Sequence, residues 1–163
     1  ICLAKGLTGG TMPMSLTLAT DEIFNSFLDD DKGKALLHGH SYTGNAIACS
    51  AALATLDIYK NEDLPGRSLK IENAFNSFFE SNRDLNLENP RALGAIMAFE
   101  IPGSGFGDYF NAKALLIPEK AREFGLFLRP LGNTMYFIPP LTITDCELEF
   151  ALEGIRKTVL AIN

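Results

Sequence analysis

The chain has 163 residues, 47% of them hydrophobic, with 20 acidic against 14 basic side chains and a net charge of −6. That much apolar material suits a folded core and argues against a disordered chain. Lys and Arg stand singly along the sequence, so no basic stripe follows a phosphate backbone, and nucleic acid is not expected as a partner. No apolar run approaches the roughly 20 residues of a membrane-spanning helix, so no membrane association is expected and a cytoplasmic protein is. The three cysteines, Cys2, Cys49 and Cys146, are far apart with no Cys-x-x-Cys pair. Reduced, buried thiols are expected rather than a zinc site or a disulfide framework.

The sequence opens with four apolar residues, Ile1 to Ala4, of the kind found inside a parallel sheet covered on both faces. Its neighbours must then come from elsewhere, and the first residue is not Met. The expectation is the C-terminal part of a larger α/β protein whose N-terminal part is missing here. A glycine-rich turn, "KGLTGG", leads to a second strand, Met14 to Ala19, returning beside the first. Thr20 suits an N-cap, with Asp21 and Glu22 in a first turn that favours acids, and helix is expected through Ile23, Phe24 and Phe27. "LDDDKGKA" lacks the alternate ligands and distal glutamate of a calcium loop, so it reads as an exposed connector. From Asn45 to about Lys60 the residues are apolar or small on nearly every face, which predicts a helix buried all round. Such a helix suits a subunit interface, the middle of a large domain, or a plain core position.

"NEDLPGRS" breaks the chain with Pro65 and Gly66, and a domain boundary is expected at residues 60 to 66, dividing 1–62 from 63–163. Beyond it the pattern predicts an amphipathic helix with Ile71, Phe75, Phe78 and Phe79 on one stripe. A strand from Leu93 to Ile101 should follow, then a flexible surface loop, "PGSGFGD". "GSGFG" lacks the Gly-Lys-Ser/Thr ending of a P-loop and the spacing of a dinucleotide fingerprint. A helix from Asn111 to Phe124, strands at Leu126 to Leu128 and Thr134 to Ile138, and a last helix from Asp145 to Ala161 complete a small α+β domain.

Three places can carry chemistry: Lys5 in "AKGLTGG", the block "HGHSYTGN" at His38 to Asn45, and Arg129 in "FLRPLGNTMYFIPP". Singly, each has an ordinary explanation: a strand-end charge, a histidine pair that is structural or binds a metal, or a turn arginine. Together they resemble the class III aminotransferases, which belong to the large pyridoxal-phosphate (PLP) enzyme family of fold type I. The resemblance covers essentially the whole chain. It implies an α/β fold: the end of a large-domain sheet followed by a small α+β C-terminal domain.

The resemblance further implies PLP as cofactor, carried covalently by Lys5, whose amine would also move protons during the reaction. Gly6, Gly9 and Gly10 would let the backbone turn beneath the cofactor. His40 and Ser41 would contact its phosphate at a helix N-terminus, with Gly39 beside the substrate. In the family this block reaches the partner subunit's cofactor, implying a homodimer with shared active sites. Arg129 would grip the substrate carboxylate through its planar fork. Thr43, where sister enzymes tend to carry a second glycine, and "LRPLGNTMYFIPPLTIT" fit best the branch that transfers an amino group from S-adenosylmethionine to 8-amino-7-oxononanoate in biotin synthesis. Another class III transaminase, acting on ornithine or 4-aminobutyrate, is the alternative, and an inactive truncated chain is a third. Two departures stand out: His40 and Ser41 replace the Pro and Thr of some relatives, and Ala46 replaces a common Pro after Asn45. The family's aspartate for the pyridine nitrogen, its ring-stacking aromatic and its first phosphate loop belong upstream of the lysine.

Overall fold

The computed structural model describes residues 1–103 and 108–163. Most of the "GSGFG" segment, and with it the expectation of a flexible loop, lies outside the described residues. The chain divides into two compact units, Ile1–Asp63 and Leu64–Asn163.

In the first unit, β1 (Cys2–Leu3) pairs antiparallel with β2 (Leu16–Thr17), Cys2 opposite Thr17 and Leu3 opposite Leu16. The backbones of Ile1 and Leu18 extend the pair with two 2.8 Å bonds. The return of the second strand beside the first is therefore as the sequence predicts, but both strands are exposed. A strand of this length is buried on both faces only between flanking strands and layers, which the described residues of this unit do not supply. Helix α1 (Asp21–Asn25) has the expected cap, the Thr20 hydroxyl accepting from Ile23 N–H at 3.4 Å. It ends before Phe27, where Ser26 Oγ donates back to the Glu22 carbonyl at 2.9 Å and competes with helix continuation. The acidic loop builds its own turns: Asp29 and Asp31 carboxylates each accept a backbone N–H two residues on, at 2.9 Å. Lys34 pairs with Asp29 and holds its carboxyl below the usual range. Among the described residues no group of three or more acidic, His or Cys side chains is arranged to hold a metal.

Helix α2 (Ala46–Asn61) is not buried all round. Its covered stripe is Ala48, Ala52 and Thr55, while Ile47, Leu53, Leu56 and Ile58 are exposed. Small residues at i, i+4 and i+7 form one face of a helix, and that face alone is packed within the unit.

The second unit holds the main core. Helix α3 (Leu64–Ser81) starts at once after α2, because Pro65 falls in its first turn, where a missing N–H costs nothing. The expected break is thus confined to Glu62 and Asp63, and Ile71, Phe75 and Phe78 form the buried stripe with Phe79 beside it. The single strand expected at Leu93 to Ile101 is instead a hairpin: β3 (Glu88–Leu93) and β4 (Ile96–Glu100) meet around Gly94, whose φ is +56°. β3 carries Pro90 and polar residues, which disguise a strand in sequence but suit the edge of a sheet. β5 (Thr134–Phe137) pairs antiparallel with β4 on its other side, giving the order β3-β4-β5. Leu126 to Leu128 forms no strand. The helix expected from Asn111 begins later, as α4 (Ile117–Glu123) after a short 3-10 turn at Ala114–Leu116. Asn111 Oδ1 caps that turn by accepting from Ala114 N–H at 3.0 Å. Helix α5 (Asp145–Ile162) opens with a capping box between Thr144 and Glu147.

The central strand β4 is buried from Met97 through Glu100. Met97, Phe99, Ile101, Met135, Ile117, Ile155 and Val159 are nearly inaccessible, and Phe79 meets Phe99 edge-on with ring centroids 6.2 Å apart. Cys2 and Cys146 are exposed and Cys49 half-buried, all three as free thiols, so the expected burial of the cysteines is not found. Cys146 lies in the first turn of α5 on its outer side, and Cys2 lies on the open two-stranded ribbon, where an apolar neighbour in sequence brings no cover in space. No helix among the described residues is long and apolar enough to cross a membrane.

Candidate active site

Lys5 begins a 3-10 turn, Lys5–Thr8, directly after β1. Leu7 and Thr8 are its buried anchors, and the Thr8 hydroxyl donates to the Met12 carbonyl at 2.6 Å. Thr11 closes the far side, donating through Oγ1 to the Thr8 carbonyl at 2.7 Å. Gly9 and Gly10 both take positive φ, +59° and +79°, and Gly10 N–H returns to the Lys5 carbonyl at 3.1 Å. A side chain at either glycine would be strained. One at Gly10 would also stand 3.8 Å from Lys5 Cε, so the glycine leaves room for the lysine stem. Lys5 itself is exposed, and among the described residues no acid pairs with its ammonium.

The block at His38 to Asn45 forms a turn before α2. His40 N–H donates to Thr43 Oγ1 and Tyr42 N–H donates to His40 Nδ1, each at 3.1 Å. The second bond occupies Nδ1, so a neutral His40 ring carries its proton on Nε2. Asn45 is a strong N-cap whose Oδ1 accepts from Ile47 and Ala48 N–H at 3.0 and 3.1 Å. It compensates for the missing proline at the helix start.

Helix α2 joins the two segments. Its first turn grows out of the block, and its far half lies against the lysine turn. Thr55 packs 3.5 Å from where a Gly9 Cβ would stand, and Tyr59 OH donates to the Gly6 carbonyl at 2.8 Å. The result is an open hollow of about 1320 Å³ with Lys5, Gly10, His38, Gly39, His40 and Asn45 on its wall. Of the residues expected at the site, Lys5, Gly39 and His40 are brought together there. Ser41 is exposed in the turn but is not on that wall. Tyr59, Thr55 and Thr8 support the site although no motif in the sequence marks them. A tyrosine in the last turn of a small-residue helix was the available signal for the first.

These residues fit PLP. A primary amine stands on a glycine turn at the wall of a hollow roomy enough for a phosphorylated pyridine. Acidic groups, which would repel a phosphate, are absent from that wall among the described residues.

Arg129 lies in the second unit, on the segment between α4 and β5. The segment leaves α4 through a Schellman turn: Gly125 (φ +78°) N–H bonds the Arg122 carbonyl at 3.1 Å and Leu126 N–H bonds the Ala121 carbonyl at 2.9 Å. Exposure then alternates, with Leu128 buried and Phe127, Arg129 and Leu131 exposed. Arg129 thus sits on an open face between two apolar side chains. Among the described residues its guanidinium has no hydrogen-bond or ion-pair partner.

The model of the family described as "Aminotransferase class-III" matches residues 1–159. The chain belongs to the class III aminotransferases. The adenosylmethionine-8-amino-7-oxononanoate aminotransferase of Helicobacter pylori is 38% identical over 161 residues, covering 95% of this chain and 36% of that protein. The protein of the same name from Methanocaldococcus jannaschii is 34% identical, and its crystal structure superimposes over 98% of this chain and 38% of its own length with a TM-score of 0.78. An amine transaminase from an uncultivated Pseudomonas species, solved in a PLP-bound form, is 29% identical with a TM-score of 0.87 over 99% of this chain and 38% of its own. The chain therefore spans somewhat more than a third of the length of each of these three relatives. Its mixed α/β architecture is that of the corresponding part of the aminotransferase fold.

Proposed function

We propose that this chain is the C-terminal part of a PLP-dependent aminotransferase that transfers the amino group of S-adenosylmethionine to 8-amino-7-oxononanoate, giving 7,8-diaminononanoate for biotin synthesis. Residues 1–62 would complete the large cofactor-binding domain, and residues 63–163 would be the small C-terminal domain. The observation that carries the reading is the lysine turn: Lys5 stands on a turn whose Gly9 and Gly10 both take positive φ and which Tyr59 ties to α2. The choice of substrates is supported by the names of relatives 34 to 38% identical.

PLP, when bound, supplies an aldehyde that takes up amines and a ring that withdraws electrons from the adjoining carbon. Lys5 Nζ would hold it, and the same nitrogen, when free, would take a proton from the donor's Cα and give it back. The glycine turn keeps the lysine stem in reach, and Tyr59 and Thr8 hold the turn. His40 and Ser41 would bind the phosphate of the partner subunit's cofactor, and Gly39 would lie beside the substrate there. Arg129 binds the acceptor's carboxylate, with its apolar neighbours Phe127 and Leu131 suited to an aliphatic chain.

The block serves the partner subunit's cofactor in a homodimer with shared active sites. The exposed Ile47, Leu53 and Leu56 of α2 suit such an interface. The enzyme is expected in the cytoplasm. The likeness to the amine transaminase, with its higher TM-score, favours one alternative, a class III enzyme with a different donor. Mixing the full-length holoenzyme with S-adenosylmethionine, ornithine and 4-aminobutyrate in turn, while following the cofactor's absorbance, separates the two. Reaction with S-adenosylmethionine alone is expected; indifference to it, with rapid reaction of either other amine, overturns the substrate assignment.

A further inference from the structure

The guanidinium of Arg129 has no side-chain partner among the described residues, so the backbone alone sets where its side chain starts and in which direction it leaves the chain. That backbone is tied down on both sides. Before it stands the Schellman turn at Gly125. After it, Leu131 and Thr134 exchange two backbone hydrogen bonds of 2.8 and 3.0 Å around a two-residue turn, with Gly132 (φ +61°) at its first central position. The second residue of that turn is Asn133, and its side chain is fully buried, at 0% exposure.

Asn133 clamps the turn to the end of the central strand. Its backbone carbonyl accepts from Ile101 N–H at 2.9 Å, and its side-chain Nδ2 donates to the Ile101 carbonyl at 3.2 Å. Ile101 is 1% exposed and follows Glu100 in β4. Both main-chain groups of one core residue are thus met by one asparagine. A buried amide is costly to place and is retained where its bonds fix a geometry. Gly132 adds a close approach, since a Cβ there would stand 3.3 Å from the Asp108 carbonyl oxygen.

We infer that Asn133 is the positioning residue for Arg129: it locks the turn four residues on to the core strand, so that the backbone from which the arginine reaches for the substrate carboxylate is held in one place. The inference rests on the reading of Arg129 as the carboxylate ligand. An arginine held by rigid backbone loses less freedom on capturing a carboxylate than one on a mobile loop, and the gain falls on the carboxylate substrate alone.

The test uses the full-length holoenzyme and a double-mutant cycle on Asn133→Ala and Arg129→Ala, with KM measured separately for 8-amino-7-oxononanoate and S-adenosylmethionine, and PLP affinity as a control. Asn133→Ala is expected to raise KM for the keto acid about tenfold, the loss of roughly one well-made hydrogen bond's worth of positioning. The donor's KM and PLP affinity should change less than about twofold, and the effect should vanish in the Arg129→Ala background. Asn133→Leu, which keeps the bulk and removes the donor to Ile101 without burying a charge, should reproduce the pattern if the alanine variant does not fold. A rise in both KM values alike, an effect that persists undiminished without Arg129, or no effect at all overturns the positioning role while leaving the carboxylate reading intact if Arg129→Ala itself raises the keto acid's KM. An unchanged KM in Arg129→Ala overturns the carboxylate reading and the positioning role together.

Discussion

Tyr59 OH donates a 2.8 Å hydrogen bond to the carbonyl of Gly6, a residue 53 positions earlier and adjacent to Lys5. It ties the last turn of α2 to the lysine turn, while Asn45 at the other end of the helix shapes the "HGHSYTGN" block. Tyr59→Phe keeps the ring and deletes the bond. Because Tyr59 is 45% exposed, water can reach the freed carbonyl, and the loss should be about 0.5–1 kcal/mol. Denaturant unfolding of the holoenzyme measures it. An unchanged midpoint would remove Tyr59 from the support of the site.

Glu100 is the charged residue buried in the central strand, at 1% exposure, and Arg91 Nη1 stands 2.7 Å from its Oε1. Both side chains lie on the face of the sheet that carries Ala98, since Arg91 pairs with Ala98 across the strands. The ion pair is close but off-axis for a hydrogen bond, so the arginine's charge is what compensates the carboxylate. Arg91→Met should destabilise the protein by roughly 2 kcal/mol, less than for a fully buried pair because Arg91 is half exposed. Adding Glu100→Gln to Arg91→Met should recover much of the loss in thermal unfolding. A double variant no better than Arg91→Met would mean that the charge is compensated elsewhere.

The first turn of α5 carries a pH dependence. The backbone N–H of Thr144 first, and its hydroxyl second, hold the Glu147 carboxyl below the usual glutamate range. A carboxyl whose folded pKa is depressed adds stability above its ordinary value and loses it as pH falls through the folded one. Thr144→Val keeps the backbone N–H and removes the hydroxyl, the second of the two causes, and with it part of that depression. The gap in stability between wild type and variant should therefore be widest near neutral pH and shrink below about pH 4, the region of an ordinary glutamate. A gap that is flat from pH 7 to pH 3 would contradict the capping role.

Arg129→Ala should spare the cofactor and weaken the keto acid by a few kcal/mol if the pair is well desolvated in the complex. PLP titration and steady-state kinetics on the holoenzyme read the two effects separately. Equal damage to both would make Arg129 a structural arginine.

Much of this was legible in the sequence. Thr20, the helix beginning at Asn45, the stripe at Ile71, Phe75 and Phe78, and the last helix are local patterns, and local patterns survive folding. The family resemblance also lay in short, contiguous segments. In the sequence Leu93 to Ile101 looks like one strand because β3 is an edge strand with Pro90 and polar residues, while Gly94 alone marks the turn. The helix at Asn111 started late because Asn111 used its side chain to cap a 3-10 turn instead. The burial of α2, β1 and the cysteines could not be read from apolar neighbours in sequence, since cover depends on what packs in space. For the same reason Tyr59 and Asn133 were missed: each acts on a residue 32 or more positions away.

The central claim is that Lys5 carries the cofactor, and covalent trapping tests it most directly. The full-length holoenzyme is reduced with borohydride, digested, and mapped for the phosphopyridoxyl group. The label is expected on Lys5 and should disappear in Lys5→Ala, together with several orders of magnitude of turnover, since both attachment and proton transfer are lost. A label on any other lysine, or turnover retained in Lys5→Ala, would contradict the account.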